Sequence, residues 1–254
     1  MTHRLLLWCD QVRDGVWDIL RPMPTTPALL LVRAAHPRQA LVTAAALGTA
    51  AAVSGRPLRE VGLVLVTVLV GQSILGWADD LSDRRRDARH RPDKPLSGGT
   101  LEPGTVWFAL TCAVLLVVPL AVANGRLAGA SYLALLAIAA VGDRLLHART
   151  TSFAPWMASF ALYPAFLAYG GWNGVGTTTP PTPVMTALAA ALGLGVHLLT
   201  ALPGLVHDHE EGERSLPLVL ALRTGTPRLL VAAGVFTGLV VLGMLVAGRT
   251  VGLT

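Results

Sequence analysis

Hydrophobic residues in this chain fall into long runs separated by short charged stretches. The runs lie at roughly 29–53, 61–78, 105–123, 129–146, 153–171, 184–202 and 229–247. Each is about 18 to 25 residues long, enough for an α-helix to cross a hydrocarbon core of about 30 Å with some tilt. The pattern therefore predicts an all-α, polytopic transmembrane bundle of about seven spans. Alanine and glycine recur inside the runs, as close helix packing in lipid favours. The ten-residue alternating segments of a membrane β-barrel are absent.

Composition agrees with the pattern. Of 254 residues, 53% are hydrophobic and only 14% charged, against about a quarter charged in soluble domains. The mean hydropathy is +0.58. Residues 1–28 do not read as a cleavable signal, because residues 5–8 are too short an apolar stretch and Asp10, Arg13, Asp14 and Asp18 interrupt the residues after it. They are read as a cytoplasmic or interfacial segment, with residues 29–254 as the transmembrane domain. Cys9 and Cys112 match no metal or redox spacing.

The formal net charge of +5 does not point to nucleic acid, because the basic residues cluster beside the spans. Loops after the second, fourth and sixth spans carry Arg84, Arg85, Arg86, Arg89, Arg91 and Lys94, then Arg144 and Arg149, then Arg214, Arg223 and Arg228. The opposite loops hold Arg56 and Arg59, then Arg126, then none in 172–183. The positive-inside rule places the first group and the N-terminus in the cytoplasm, for an integral protein of the plasma membrane. An odd number of spans puts the C-terminus outside.

The chemistry lies at the cytoplasmic ends. The second span runs into Gly76-Trp77-Ala78-Asp79-Asp80-Leu81-Ser82-Asp83-Arg84-Arg85-Arg86-Asp87. On a continuing helix, Asp79, Asp83 and Asp87 share one face, with Asp80 beside them. Carboxylates stacked this way repel one another unless a cation lies between them, and oxygen-only donors suit a hard ion such as Mg2+. The alternative is a solvated ionic face paired with Arg84, Arg85 and Arg86. Next comes Arg89-His90-Arg91-Pro92-Asp93-Lys94-Pro95-Leu96-Ser97-Gly98-Gly99, holding the sole lysine of the chain between two prolines. A point charge on such a restrained loop suits a phosphate group. After the sixth span, Pro203-Gly204-Leu205-Val206-His207-Asp208-His209-Glu210-Glu211-Gly212-Glu213-Arg214 repeats the arrangement of acids at a helix end, suggesting an internal repeat.

These two stretches resemble the paired signatures of the UbiA superfamily of membrane prenyltransferases. The stretch at 79–98 is similar to Asn-x-x-x-Asp-x-x-x-Asp followed by an Arg-Pro-Asp-Lys/Arg-Pro loop. The stretch at 202–217 is similar to Asp-x-x-x-Asp followed by Gly and Leu-Pro. Arg33-Ala-Ala-His36-Pro37 resembles the arginine stretch of the family's first helix. The resemblance implies nine helices around a lipid-open cavity capped by the two acidic loops, so about seven spans leave two family helices unaccounted for. It also implies Mg2+ held by Asp79, Asp80, Asp83, Asp87 and Asp208. Arg33, Arg91, Lys94, His147 and Arg214 are then expected on the diphosphate, with Asp83, Arg91 and Lys94 central to catalysis.

Three departures accompany the match. Asp79 stands where the family has Asn, and His147 where it has a lysine. Gly204 falls where the second signature begins with Asp, with His207, Glu210 and Glu211 as nearby replacements. The implied activity is Mg2+-dependent transfer of an isoprenyl group from an allylic diphosphate to a lipophilic or aromatic acceptor in the bilayer. A membrane terpene cyclase and a non-catalytic membrane protein are the alternatives.

Overall fold

The computed structural model describes residues 26–171 and 179–250. Most of the 1–28 segment and much of the 172–183 loop lie outside them. Every described element is helical: α1 (Pro27–Ala34), α2 (Pro37–Val53), α3 (Leu58–His90), α4 (Pro103–Ala123), α5 (Arg126–Leu146), α6 (Phe153–Ala161), α7 (Tyr163–Ala168), α8 (Pro183–Ala201), α9 (Leu205–Glu210), α10 (Leu216–Thr224) and α11 (Thr226–Thr250). A 3₁₀ turn, Leu202–Gly204, joins α8 to α9.

Five helical stretches are long and apolar enough to cross a membrane: Leu58–His90, Pro103–Ala123, Arg126–Leu146, Pro183–Glu210 and Thr226–Gly248. The other two expected spans are broken. Pro37 has no N–H for the helix bond back to Arg33, so the first run divides into α1 and α2, with His36 left-handed at φ 50 between them. Pro164 acts likewise, dividing the fifth run at Leu162.

The long helices pack in chain order, α2 on α3, α3 on α4, α4 on α5, α5 on α6, α6 on α8 and α8 on α11. Val64, Val68, Val117, Tyr132, Leu135 and Phe166 form the buried core of the first half. The outside is apolar as well: Phe108, Leu115, Val231 and Leu239 are all exposed. Such a surface suits lipid rather than water. Between α2 on one side and α8 and α11 on the other lies a cavity of about 1870 Å³.

The α3 helix decides where the chemistry sits. Its 33 residues span about 50 Å, against about 30 Å of hydrocarbon. The last turns therefore extend past the apolar part and carry the aspartates on one continuous face.

Candidate functional site

The mouth of the cavity is assembled from α3, the loop after it, the end of α5, and α9. Asp79, Asp83, Asp87, Arg86, His90, Arg91 and Lys94 line it from one side. Asp143, Arg144 and His147 join from the α5 end, and Gly204, His207, Asp208 and Glu213 from the opposite side. The two stretches are in direct contact through Arg86, Arg89 and His90, each bonded to a carboxylate 121 or 122 residues away in sequence.

Local packing aims the first half of the site. Gly76 lets α1 approach: a Cβ there would lie 2.8 Å from the carbonyl carbon and oxygen of Ala35. Trp77 Nε1 donates to the Leu31 carbonyl oxygen at 2.9 Å. This seats His36 beside the aspartates, with Nε2 3.1 Å from Asp80 Oδ1 and 4.0 Å from Asp79 Oδ2. The hydrogen bond with Asp80 holds the His36 pKa above the usual imidazole value, against the effect of burial.

The loop after α3 is equally constrained. Pro92 follows the Arg91 cap, Leu96 is buried, and a Cβ on Gly98 would meet the Pro92 carbonyl oxygen at 2.3 Å. Ser97 Oγ donates to the Arg91 carbonyl at 2.8 Å. The fold of this loop points Lys94 back at α3, where Nζ donates to Asp80 Oδ1 at 2.9 Å and Asp87 Oδ2 at 2.6 Å. Burial works against the Lys94 charge, but these hydrogen bonds outweigh it and raise its pKa.

The expected site residues therefore divide. Asp80 is 1% exposed and is committed to Lys94 and His36. Asp79 reaches only His36. Asp83 has no hydrogen bond or ion pair among the described residues, and it faces Asp87. Arg91 likewise has no ion pair among the described residues, and its Nη2 lies beside Gly204. His147 approaches Glu213 at 3.9 Å. Arg33 and Arg214 do not line the cavity, whereas His36 and Arg38 do. His36, Asp79 and Asp80 are close enough together to share a metal ion. Asp80 Oδ1 serves two donors while Oδ2 is buried with no partner, and Asp80 does not line the cavity; Asp79 and Asp83 do, which makes them the better-placed carboxylate face, with oxygen donors that fit Mg2+.

Several members of the site escape a reading of the sequence. Asp143, at the end of α5, has no hydrogen bond or ion pair through its side chain among the described residues, and it faces Asp83 and Asp79 electrostatically. The signal for it is an acid at the end of an apolar run. Arg86 is the member of the Arg84–Arg86 run that lies on the aspartate face, three residues after Asp83. It pairs with Asp208, with Glu211 at 3.2 Å and with Glu213 at 3.1 Å. Burial pushes the Glu213 carboxyl up, with Arg86 opposing. Glu210 is exposed, and neither it nor Glu211 reaches Gly204; His207 packs against His90, ring centroids 4.6 Å apart.

Beside the cavity, Ser152 and His197 form a buried pair, Oγ to Nε2 2.9 Å, while the Leu216 N–H donates to Ser152 Oγ at 3.2 Å. This one hydroxyl ties α6, α8 and α10 together beneath the acidic loop. Ser152→Ala should cost about 1–3 kcal/mol by stranding its partners. Thermal unfolding of the detergent-purified protein checks this, and an unchanged midpoint would contradict it.

These features define a class: a polytopic helical membrane protein with an apolar cavity whose mouth faces two acidic helix ends towards each other. The profile of the UbiA prenyltransferase family matches residues 40–254. The chain belongs to the UbiA prenyltransferase family. A search of curated protein sequences finds no match. Among solved structures, the fold is similar to that of a UbiA homolog from Archaeoglobus fulgidus bound to GPP and Mg2+. The TM-score is 0.61 at 15% identity, over 84% of this chain and 76% of the homolog.

Proposed function

We propose that this protein transfers an isoprenyl group from an allylic prenyl diphosphate to a small lipophilic or aromatic acceptor within the bilayer, with Mg2+ as cofactor. The observation that carries the reading is the meeting of two unlike surfaces. An apolar cavity of about 1870 Å³, beyond the roughly 300–1,000 Å³ of ordinary ligand pockets, ends at a mouth with unpaired carboxylates and an unpaired arginine. A molecule with a long apolar tail and a diphosphate head fits both. The GPP and Mg2+ of the archaeal homolog belong to the same chemical class. The transmembrane domain is taken as residues 29–254, with the acidic loops on the cytoplasmic face of the plasma membrane.

Asp79 and Asp83, flanked by Asp87, would hold Mg2+, which would supply neutralisation of the charge that builds on the departing diphosphate. Arg91, at the end of the same helix, adds a fixed positive charge next to Gly204. Lys94 keeps Asp80 and Asp87 in register and presents its remaining donor capacity to the cavity it lines. The apolar walls exclude water, so the allylic cation left by C–O cleavage survives until the acceptor captures it.

The test uses the purified protein in a bilayer, with geranyl or geranylgeranyl diphosphate. Mg2+-dependent release of diphosphate that stops with EDTA is the expected result, and no release from any allylic donor would overturn the reading. One observation favours a second reading, a terpene cyclase. Trp156, Phe160 and Tyr163 line the cavity as a run of ring contacts, with centroids 6.3 Å apart for the first pair and 5.3 Å for the second. Aromatic faces can stabilise a migrating cation. Cyclised hydrocarbon formed without any acceptor would establish the cyclase.

A further inference from the structure

The two halves of the mouth are not equivalent. On the α3 side, Asp83 is unpartnered and Asp79 is met only by His36 at 4.0 Å. On the α9 side, every carboxylate that faces α3 is already met by a cation. Arg86 places its guanidinium among three of them: Nη2 on Asp208, Nε 3.2 Å from Glu211 Oε2, and Nη1 3.1 Å from Glu213 Oε1. All three of its nitrogens are used.

We propose that Arg86 is the second cation of this site, and that the chain binds metal on the α3 side alone. The inference rests on the prenyl diphosphate reading above. A second observation points the same way independently. The helix position that faces Asp208 one turn earlier is Gly204, which has no ligand to offer. It has ordinary right-handed backbone at φ −92 and ψ −12. A Cβ there would lie 3.7 and 3.8 Å from the Asp208 carboxylate oxygens and 3.9 Å from Arg91 Nη2. These are ordinary van der Waals distances, so the backbone admits a residue with a Cβ here, and the sequence supplies none. A divalent ion on this side would have Asp208 as its sole carboxylate from the cavity-lining residues of the 3₁₀ turn and α9, and would have to displace a guanidinium held at three points.

The exchange has a chemical consequence. Guanidinium stays charged at every accessible pH and is part of the chain, so it neutralises this half of the site without being loaded. Arg86 holds the two acidic stretches together before any diphosphate arrives. Arg91, which reaches Gly204 from the end of α3, is then the cation facing this side that is free of ion pairs and open to phosphate oxygens.

The count of bound ions decides the matter. Purified protein in nanodiscs is titrated with Mn2+ in the presence of inorganic pyrophosphate, and bound Mn2+ is counted by electron paramagnetic resonance. One ion per wild-type chain is expected. The double variant Arg86→Met, Gly204→Asp restores a carboxylate and removes the competing cation, and should hold two. Two ions on the wild-type chain would overturn the proposal while leaving the prenyl diphosphate reading intact. No ion at all with pyrophosphate present would bring down that reading and this one with it. A folded double variant that still holds one ion would remove the assignment to Arg86 and Gly204. If the double variant does not fold, the wild-type count alone decides.

Discussion

Asp83→Asn is expected to lower diphosphate release by about 10²–10³-fold, the scale seen when one electrostatic contact to a developing anion is removed. The same change should leave thermal stability unchanged or slightly raised. Asp83 has no hydrogen bond or ion pair among the described residues; it faces Arg86 as well as the like charges of Asp87 and Asp143. Neutralising it relieves the repulsion from those two acids, gives up the longer-range attraction of Arg86, and strands no hydrogen-bond partner. Turnover with geranylgeranyl diphosphate and an unfolding midpoint, measured on the same preparation, test the two halves together. A large drop in the midpoint would show that Asp83 is structural and would remove it from the metal face. Full retention of turnover would be equally damaging.

Lys94→Met should behave in the opposite way, losing both stability and activity. Lys94 is the counter-charge of Asp80, whose side chain is 1% exposed, and of Asp87, whose side chain is 10% exposed. Removing Lys94 leaves Asp87 uncompensated and Asp80 with His36 alone; breaking a buried pair in this way costs about 3–5 kcal/mol. Protonation of Asp80 would offset part of this, so the loss should be smaller at low pH than at neutral pH. Lys94→Arg is not expected to rescue fully, because a planar fork replaces a compact ammonium that bridges two carboxylates at 2.9 and 2.6 Å. Denaturant midpoints of the three proteins in detergent give the comparison. A Lys94→Met protein as stable as wild type would mean that the pairing contributes nothing to the fold.

The two variants separate what a sequence motif merges. Asp79, Asp80, Asp83 and Asp87 are alike as a run of acids, and helical spacing correctly groups them on one side of α3. Spacing cannot tell which of them is already satisfied. That depends on where the Arg91–Leu101 loop returns, and on α1 docking through Trp77 and Gly76 to bring His36 alongside. Arg33 is the expected contact from the first helix, yet Pro37 breaks that helix and turns His36 and Arg38 into the cavity instead.

The sequence by itself determined the solvent and the architecture. Long apolar runs must hydrogen-bond their own backbone in lipid, so an all-helical bundle arises without any knowledge of contacts. It also determined that acids end two of those helices, because charge at a span end is a local property. The tertiary structure alone decided how those ends meet. An ion pair between Arg86 and Asp208 joins residues 122 apart, and no local propensity encodes which carboxylate an arginine will find. Coulomb attraction is non-directional, so each partner is fixed only when packing of α3 against its neighbours has set the distances.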